Sequence, residues 1–600
     1  MPHSGTALAP ARYNQILLLV AGLGGLLYGI DVGIIASALP YLEATSGLNA
    51  GQLSVVVAAV LLGSIFSTLF AGMFADRFGR KPMMVASGTL FVLSIPAIAL
   101  SHGYGALVAG RLLQGISGGF CGVVVPLYLA ECLTADTRGK GTAIFQWMLT
   151  LGIVAASVVG IFFSYRVAAV EAGGTAAQVF AFKNLAWRGI FWTSLPPGVL
   201  FVIGSLWVSE SPRWLHRRQR MAAALAALAR SRGDAAARRE MEEMDAVSAA
   251  ATGAGGKVRE SLLRRKYVLP FVLACVILAA TQGVGVNAII GYMTDILLSS
   301  GLTDLQAHWG YVAFTVVNFL LTIAAVVLVD RKGRKFLLTI GTAGMAVALV
   351  AIAVLFWRNE TRRVDVRAAV QAQVSAGQSL ALTYTPSYAA ALLSSDLSGG
   401  ASAQALAVRP TSLVVIYSCG SYQAASDVVR SNDPSPHPIS ISRDACLPSN
   451  AVVGFFSNPL GSLAASRHAP LKIDDALITP LPSPTTGWWI EIGLLVYMGF
   501  FAVGPGVVVW LALSELMPTR IRSNGMSIAL VMNQITSTTL TAIFLPVVGR
   551  YGYHVLFLGF AAVAVVYFIV ALFFLPETKN KTLEEIEAYF ESPAAAAAAR

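Results

Sequence analysis

A charged hexapeptide occurs twice in this chain, as Asp76-Arg77-Phe78-Gly79-Arg80-Lys81 and again as Asp330-Arg331-Lys332-Gly333-Arg334-Lys335. Each copy lies between long apolar runs, so the chain reads as two halves built on one plan. The runs fall at 15–39, 52–75, 82–101, 105–130, 141–163 and 189–208, and in a second set at 268–298, 308–329, 337–357, 488–513, 522–547 and 552–576. A helix of about 20 apolar residues crosses a bilayer. With 56% hydrophobic and only 12% charged residues, against about a quarter charged in soluble domains, the chain reads as a membrane protein. The expected fold class is all-α: twelve transmembrane helices in two six-helix bundles.

The formal net charge of +11 does not call for nucleic acid, because no soluble basic domain stands out. It is distributed as a topology signal. With a cytoplasmic N-terminus, the short inward loops carry Arg77, Arg80, Lys81, Arg138, Lys140, Arg331, Lys332, Arg334, Lys335, Arg520 and Arg522. The short outward loops at 40–51, 102–104 and 299–307 carry no Lys or Arg. That asymmetry is the positive-inside pattern, and it puts both termini in the cytoplasm. The polar N-terminus leads into an apolar run with no small-residue cleavage site, so the first span is expected to be retained.

Residues 1–212 are expected to form the first bundle, and 267–357 with 488–577 the second. Between them, 213–266 is rich in good helix formers, with Met221, Leu225 and Leu228 at helical spacing, and reads as a cytoplasmic helical linker. Residues 358–487 interrupt the second half. They are rich in Ser, Ala and Pro and too polar to cross the bilayer. Span counting puts them outside, as a large extracytoplasmic insertion to which no function is assigned. Cys121, Cys132 and Cys275 go with the apolar runs as small packing residues. Cys419 and Cys446 lie in the insertion, where a disulfide can persist; a bridge and two free thiols both remain open. No Cys/His spacing suits a metal. In the tail at 578–600, Thr582 and Glu585 have the spacing of a capping box.

The hexapeptides resemble the loops between the second and third, and the eighth and ninth, helices of the major facilitator superfamily. Further pieces resemble its sugar porter branch: Gly110-Arg111; Pro126-Leu127-Tyr128-Leu129-Ala130-Glu131 with Arg138-Gly139; Glu210-Ser211-Pro212-Arg213; Gln282 to Asn287; Gly504-Pro505-Gly506; Glu515 with Arg520; and Pro576-Glu577-Thr578-Lys579. The likeness runs in order through almost the whole chain except 358–487. It implies the major facilitator fold, alternating access, no covalent chemistry and no cofactor.

The resemblance also implies roles. Glu131, Glu210 and Glu515, with Arg77, Arg80, Arg138, Arg213, Arg331, Arg334 and Arg520, would form a cytoplasmic gate by pairing across the two bundles, present in one state and absent in the other. A sugar site near the bilayer midplane needs amides, which donate and accept, and an aromatic face. The matching positions are Tyr28, Gln146, Gln282, Asn287, Asn318, Trp510 and Asn533. Three positions depart from the family: Thr281 precedes Gln282 where a second Gln is usual, Gln534 replaces a Trp, and Ala502 stands where glucose facilitators have Glu.

Asp31 lies inside the first span, where an Asp costs about 2.5–3.5 kcal/mol to insert and by default does work. It matches the proton-linked Asp of the sugar symporters, and Arg111 matches its partner. The resemblance therefore implies import of a monosaccharide (a hexose, a pentose or a related polyol) driven by protons, with the proton as coupling ion. A facilitative uniporter, a transporter-like sugar receptor and a drug exporter are the rivals. The expected partners are a small sugar and the lipid bilayer of the plasma membrane (the inner membrane in a bacterium), with the monomer as working unit and no nucleic acid.

Overall fold

The computed structural model describes residues 10–133, 135–253, 264–395, 406, 408–434, 436, 438–448, 458, 461–518, 521–579, 581, 586 and 589–590. Thr582, Glu585 and Arg520 lie outside the described residues, as do the side chains of Arg138 and Trp510.

Twelve helices among the described residues are long and apolar enough to span a membrane: Pro10–Ser46, Ala50–Phe78, Arg80–Ala99, Tyr104–Cys132, Ile144–Gly173, Ala176–Trp207, Arg265–Gly291, Asp304–Val329, Arg334–Glu360, Pro484–Val509, Ile528–Tyr551 and Tyr553–Phe573. They are numbered here as the first to twelfth spans. The sixth begins about four turns before its apolar run and bends at Thr193-Ser194, where Pro196 and Pro197 open the next helix. The protein is a twelve-span helical membrane protein of the expected class.

Within the first bundle the first and fifth spans meet at small residues. A side chain at Gly29 would collide with the Leu149 carbonyl, and one at Gly152 with that of Leu26. In lipid, where apolar side chains gain nothing by leaving water, such backbone contact is what brings helices together.

The linker is helical at Pro212–Arg217, Met221–Arg232 and Asp234–Gly253. It docks on the first bundle. Trp214 Nε1 donates to the Asp76 carbonyl at 2.8 Å, and Asn14 Nδ2 to that of Ser231 at 2.9 Å. His216 pairs with Asp245 at 2.7 Å within the linker.

The insertion contains strands, which span-scale hydropathy does not anticipate. β1 (Val364–Asp365), β7 (Leu471–Pro480), β3 (Thr411–Cys419) and β4 (Tyr422–Ala425) pair in that order, with β5 (Val429–Arg430) also on β3. β2 (Ser379–Thr383) and β6 (Pro438–Ser442) form a separate antiparallel pair. β3 opposes β7 with Leu413 on Ile478 and Val415 on Ala476. These residues belong to a hydrophobic core of the insertion's own, with Tyr384, Leu393 and Ile441. Cys419 and Cys446 are both buried there as free thiols. No bridge joins them: Cys446 Sγ instead donates to the Tyr422 carbonyl at 3.2 Å.

The contact of the first and fifth spans yields a prediction. Gly29→Val should destabilise the protein by at least about 1–3 kcal/mol, the usual cost of overpacking. Gly559→Ala, where an added carbon meets nothing within 4 Å, should be neutral or gain about 0.5–1 kcal/mol from reduced backbone freedom. Thermal unfolding of the two variants in detergent compares them directly; equal midpoints would refute the packing argument.

Candidate functional site

The seventh span is broken. Its helix Arg265–Gly283 ends at Val284, Gly285 adopts φ +83°, and two short helices, Val286–Gly291 and Met293–Ser299, follow. Only glycine suits this position, because φ is left-handed and a side chain would strike the Phe560 ring. The carbonyl freed at Val284 accepts from Tyr497 OH at 3.0 Å. Interrupted helices of this kind place ligand groups near the midplane of transporters.

Gln282 and Asn287 flank the break. Gln282 Nε2 reaches Asn533 Oδ1 at 3.4 Å, and Asn533 Nδ2 donates to the Leu278 carbonyl at 3.0 Å. Asn287 Nδ2 donates to Ser537 Oγ at 2.9 Å. Gln282 Oε1 is buried without a hydrogen-bond donor. Gln282, Asn287, Gln146, Gln534 and Tyr28 keep partial exposure amid buried neighbours. The structure thus brings Gln282, Asn287 and Asn533 together. Asn318 lies in the eighth span, where its Oδ1 accepts from Thr322 at 3.5 Å. Three further polar residues lie beside these amides in the chain, of which Ser537 alone is not named in the sequence reading. Ser537 lies four residues after Asn533 on one helix face. Gln534 Nε2 reaches Ser64 Oγ across the bundles at 3.4 Å. Thr281, the departure from a paired Gln, shares a hydrogen bond of 2.9 Å with Tyr567.

Asp31 is 1% exposed, and neither carboxylate oxygen has a hydrogen-bond partner. Gly118 makes room for it: a side chain there would sit 2.7 Å from Asp31 Oδ2 and 3.3 Å from the Tyr28 ring. Arg111, also 1% exposed, makes no ion pair with Asp31. Its NH1 donates to Gln114 Oε1 at 2.7 Å, and its guanidinium lies 5.6 Å over the Phe191 ring. Gln114, three residues on from Arg111, is therefore a holding partner that helical spacing could have flagged. Glu491 of the tenth span is a second buried carboxyl, 1% exposed with both oxygens unbonded.

At the end bearing the hexapeptides, Arg80 and Arg334 each pair with an acid of their own bundle; the pairing across bundles that the resemblance implies belongs to one state of the cycle, and the Arg138 and Arg520 side chains lie outside the described residues. Arg80, 2% exposed, binds Glu131 through NH2 and Nε, each at 2.8 Å. Glu131 also accepts from Arg217 at 3.0 Å and Ser211 at 2.5 Å. Arg334 binds Glu515 at 3.1 Å. Glu210 accepts the backbone amides of Arg80 and Lys81 at 3.0 and 3.2 Å, and Glu577 those of Arg334 and Lys335 at 3.0 and 3.1 Å. Burial pushes Glu210 above the usual carboxylate range despite those amides. Arg77, Arg213 and Arg331 are exposed. The reason is local: each acid stands beside a helix start in its own bundle.

At the opposite end the bundles meet directly. Tyr41 and Ser164 both donate to Asp304 Oδ2, at 2.9 and 2.5 Å. Tyr311 OH donates to the Gly33 carbonyl at 2.8 Å, and Thr294 to that of Ala36. Ser157 and Thr315 share a bond of 2.9 Å. The arrangement is a set of amides around the break in the seventh span, with hydrogen bonds joining the two bundles at one end.

The sugar (and other) transporter family matches residues 17–391 and 483–590, leaving out much of the insertion. The glucose transporter GlcP of Staphylococcus epidermidis is 30% identical over 347 residues, 58% of this chain and 73% of that protein. The human proton myo-inositol cotransporter is 26% identical over 593 residues, 97% of this chain and 82% of that one. The partially occluded, inward-open xylose transporter XylE of Escherichia coli superposes with a TM-score of 0.63 at 20% identity, covering 95% of this chain and all of that one; at that identity it speaks for the fold. Given the family match, the two six-span halves and the motifs shared between them, this chain belongs to the sugar (and other) transporter family, as a sugar porter of the major facilitator superfamily.

Proposed function

We propose that the protein imports a monosaccharide or related polyol by proton symport through alternating access. The insertion end faces outward, and the hexapeptide end and both termini lie in the cytoplasm of a plasma membrane. The observation that carries the coupling is Asp31, buried with neither oxygen bonded while Arg111 is held by Gln114 and Phe191. A buried carboxylate without a donor is costly, and a proton removes that cost. In the other state Arg111 would turn to Asp31 and keep it ionised, so sugar and proton would travel together. The basic loops at the hexapeptide end support the orientation, and a relative named a proton myo-inositol cotransporter supports the coupling.

The substrate reading rests on the amide lattice. Sugars are neutral and dense in hydroxyls, and Gln282, Asn287 and Asn533 offer donors and acceptors beside one another, with Gln282 Oε1 unmet. Gln146, Asn318, Tyr28 and Trp510 would complete the site. With Arg80–Glu131 and Arg334–Glu515 each closed within a bundle, the hexapeptide ends act as rigid blocks. The gate at that side would form when those blocks meet in the opposite state. The protein would work as a monomer.

Two outcomes are expected. Gln282→Ala and Asn287→Ala should each weaken sugar binding by about 1–3 kcal/mol, the cost of a lost buried hydrogen-bond partner. Calorimetry on the purified variants with every transported sugar measures this, and unchanged affinity throughout would reject the site. Asp31→Asn should abolish pH-driven accumulation in proteoliposomes while sugar-for-sugar exchange survives at least in part, since exchange moves no net proton. Undiminished proton-driven accumulation would sink the symport mechanism. Loss of exchange and stability together would instead make Asp31 a structural partner of Arg111. A uniporter would show no effect of the pH gradient in the unmodified protein.

A further inference from the structure

The insertion touches both bundles, and it does so at the end where the bundles are joined. On the first bundle, Asn49 Nδ2 donates to the Ala445 carbonyl at 2.8 Å, and Lys183 Nζ lies 3.8 Å from Asp433 Oδ1. On the second, Arg430 NH2 binds Asp295 Oδ1 at 2.8 Å and Ser299 Oγ at 3.0 Å, and Arg550 NH1 donates to Gln423 Oε1 at 2.9 Å. Asp295 and Ser299 belong to Met293–Ser299, the last piece of the broken seventh span. Thr294 in that piece bonds the first span, and Tyr553 OH of the twelfth span reaches Asp295 Oδ2 at 3.1 Å.

The charges around Arg430 come from all three parts. Asp295 belongs to the second bundle, Glu43 to the first and Asp427 to the insertion itself; Glu43 interacts with the other two acids and with Arg430. The Asp295 side chain is 3% exposed and that of Arg430 16%. Burial, and next the nearby Asp295, pushes Asp427 well above the usual carboxylate range. Arg430 therefore faces acids of both bundles, and parting the bundles would leave Glu43 or Asp295 without it.

We propose that the insertion is an outer latch: Arg430 holds the helix Met293–Ser299, and Asn49 with Lys183 holds the first bundle, so that the insertion must let go of one bundle before the outer end can open. Arg430, Asp433 and Ala445 all lie within 392–482, which the family's matching segments leave out. The proposal rests on the alternating-access reading in speaking of a cycle, but its test does not depend on transport.

Spin labels on cysteines introduced at the exposed His102 and Thr485, one on each bundle at this end, report the gap between bundles by pulsed dipolar spectroscopy in nanodiscs without sugar. Arg430→Ala should raise the long-distance population several-fold. Asn49→Asp provides a milder arm. It keeps the oxygen that caps the second span by accepting from Gln52, but it cannot donate to Ala445, so it should shift the distances the same way. If Arg430→Ala does not yield folded protein, Asn49→Asp alone decides. Unchanged distances in the folded variants would overturn the latch, whether or not the protein transports sugar. A shift in distance in a protein that transports no sugar would keep the latch and defeat the transport reading.

Discussion

A carboxylate set on the amides of a helix start, reached over a glycine, recurs three times and ties the spans of this protein together. Glu210 accepts the first amides of the third span beside Gly79, Glu577 those of the ninth beside Gly333, and Glu360 those of the twelfth, Tyr553 and His554, beside Gly552. All three glycines have positive φ, and a side chain at any of them would strike the capping carboxylate. The amides of a helix start are unpaired donors at the positive end of the helix dipole. A distant acid there fixes where a span begins and which segment it is bound to. Because Glu210 follows the sixth span and Glu577 the twelfth, the device closes each bundle with its own last segment.

The seventh span is broken at Gly285 and again at Tyr292, so its last piece can follow the first span through Thr294 while its first piece stays with the eleventh through Gln282 and Asn533. The break at Gly285 therefore lies within the amide lattice, and the one at Tyr292 between that lattice and the end where the bundles are joined. Asp31, on the first span near that lattice, is enclosed but unbonded, and Arg111 is occupied elsewhere. Under the proposed function, the amides would bind substrate, Asp31 would carry the proton and the joined end would act as the gate of an alternating-access cycle.

The insertion shows how a segment can be foreign to a fold's pattern and still belong to it physically. It has its own core in Leu413, Val415, Ile473 and Ile478, as a domain should. Yet it sends one arginine into an acidic site shared by both bundles. Strand periodicity is legible in its sequence: β3 is a run of β-branched and apolar residues, and Leu471 and Ile473 alternate in β7. These stretches are too short for a bilayer, so an argument built on spans passes over them.

Twelve spans, their grouping in sixes and the duplicated charged turns follow from the sequence alone, because hydropathy over about 20 residues and a repeated hexapeptide are local properties of the chain. Asp31 was legible for the same reason, since a charge inside an apolar helix is costly; the amide positions 282, 287 and 533 were legible only through the resemblance to the sugar porters. Partner choice was not legible. That Arg80 closes on Glu131 within its bundle, that Arg111 rests on Gln114 and Phe191 instead of Asp31, and that Arg430 meets Asp295 all depend on which helices lie side by side and in which state the bundles stand. The strength of a charge pair depends on distances of a few ångströms between residues far apart in the chain, and those distances exist only once the helices have packed.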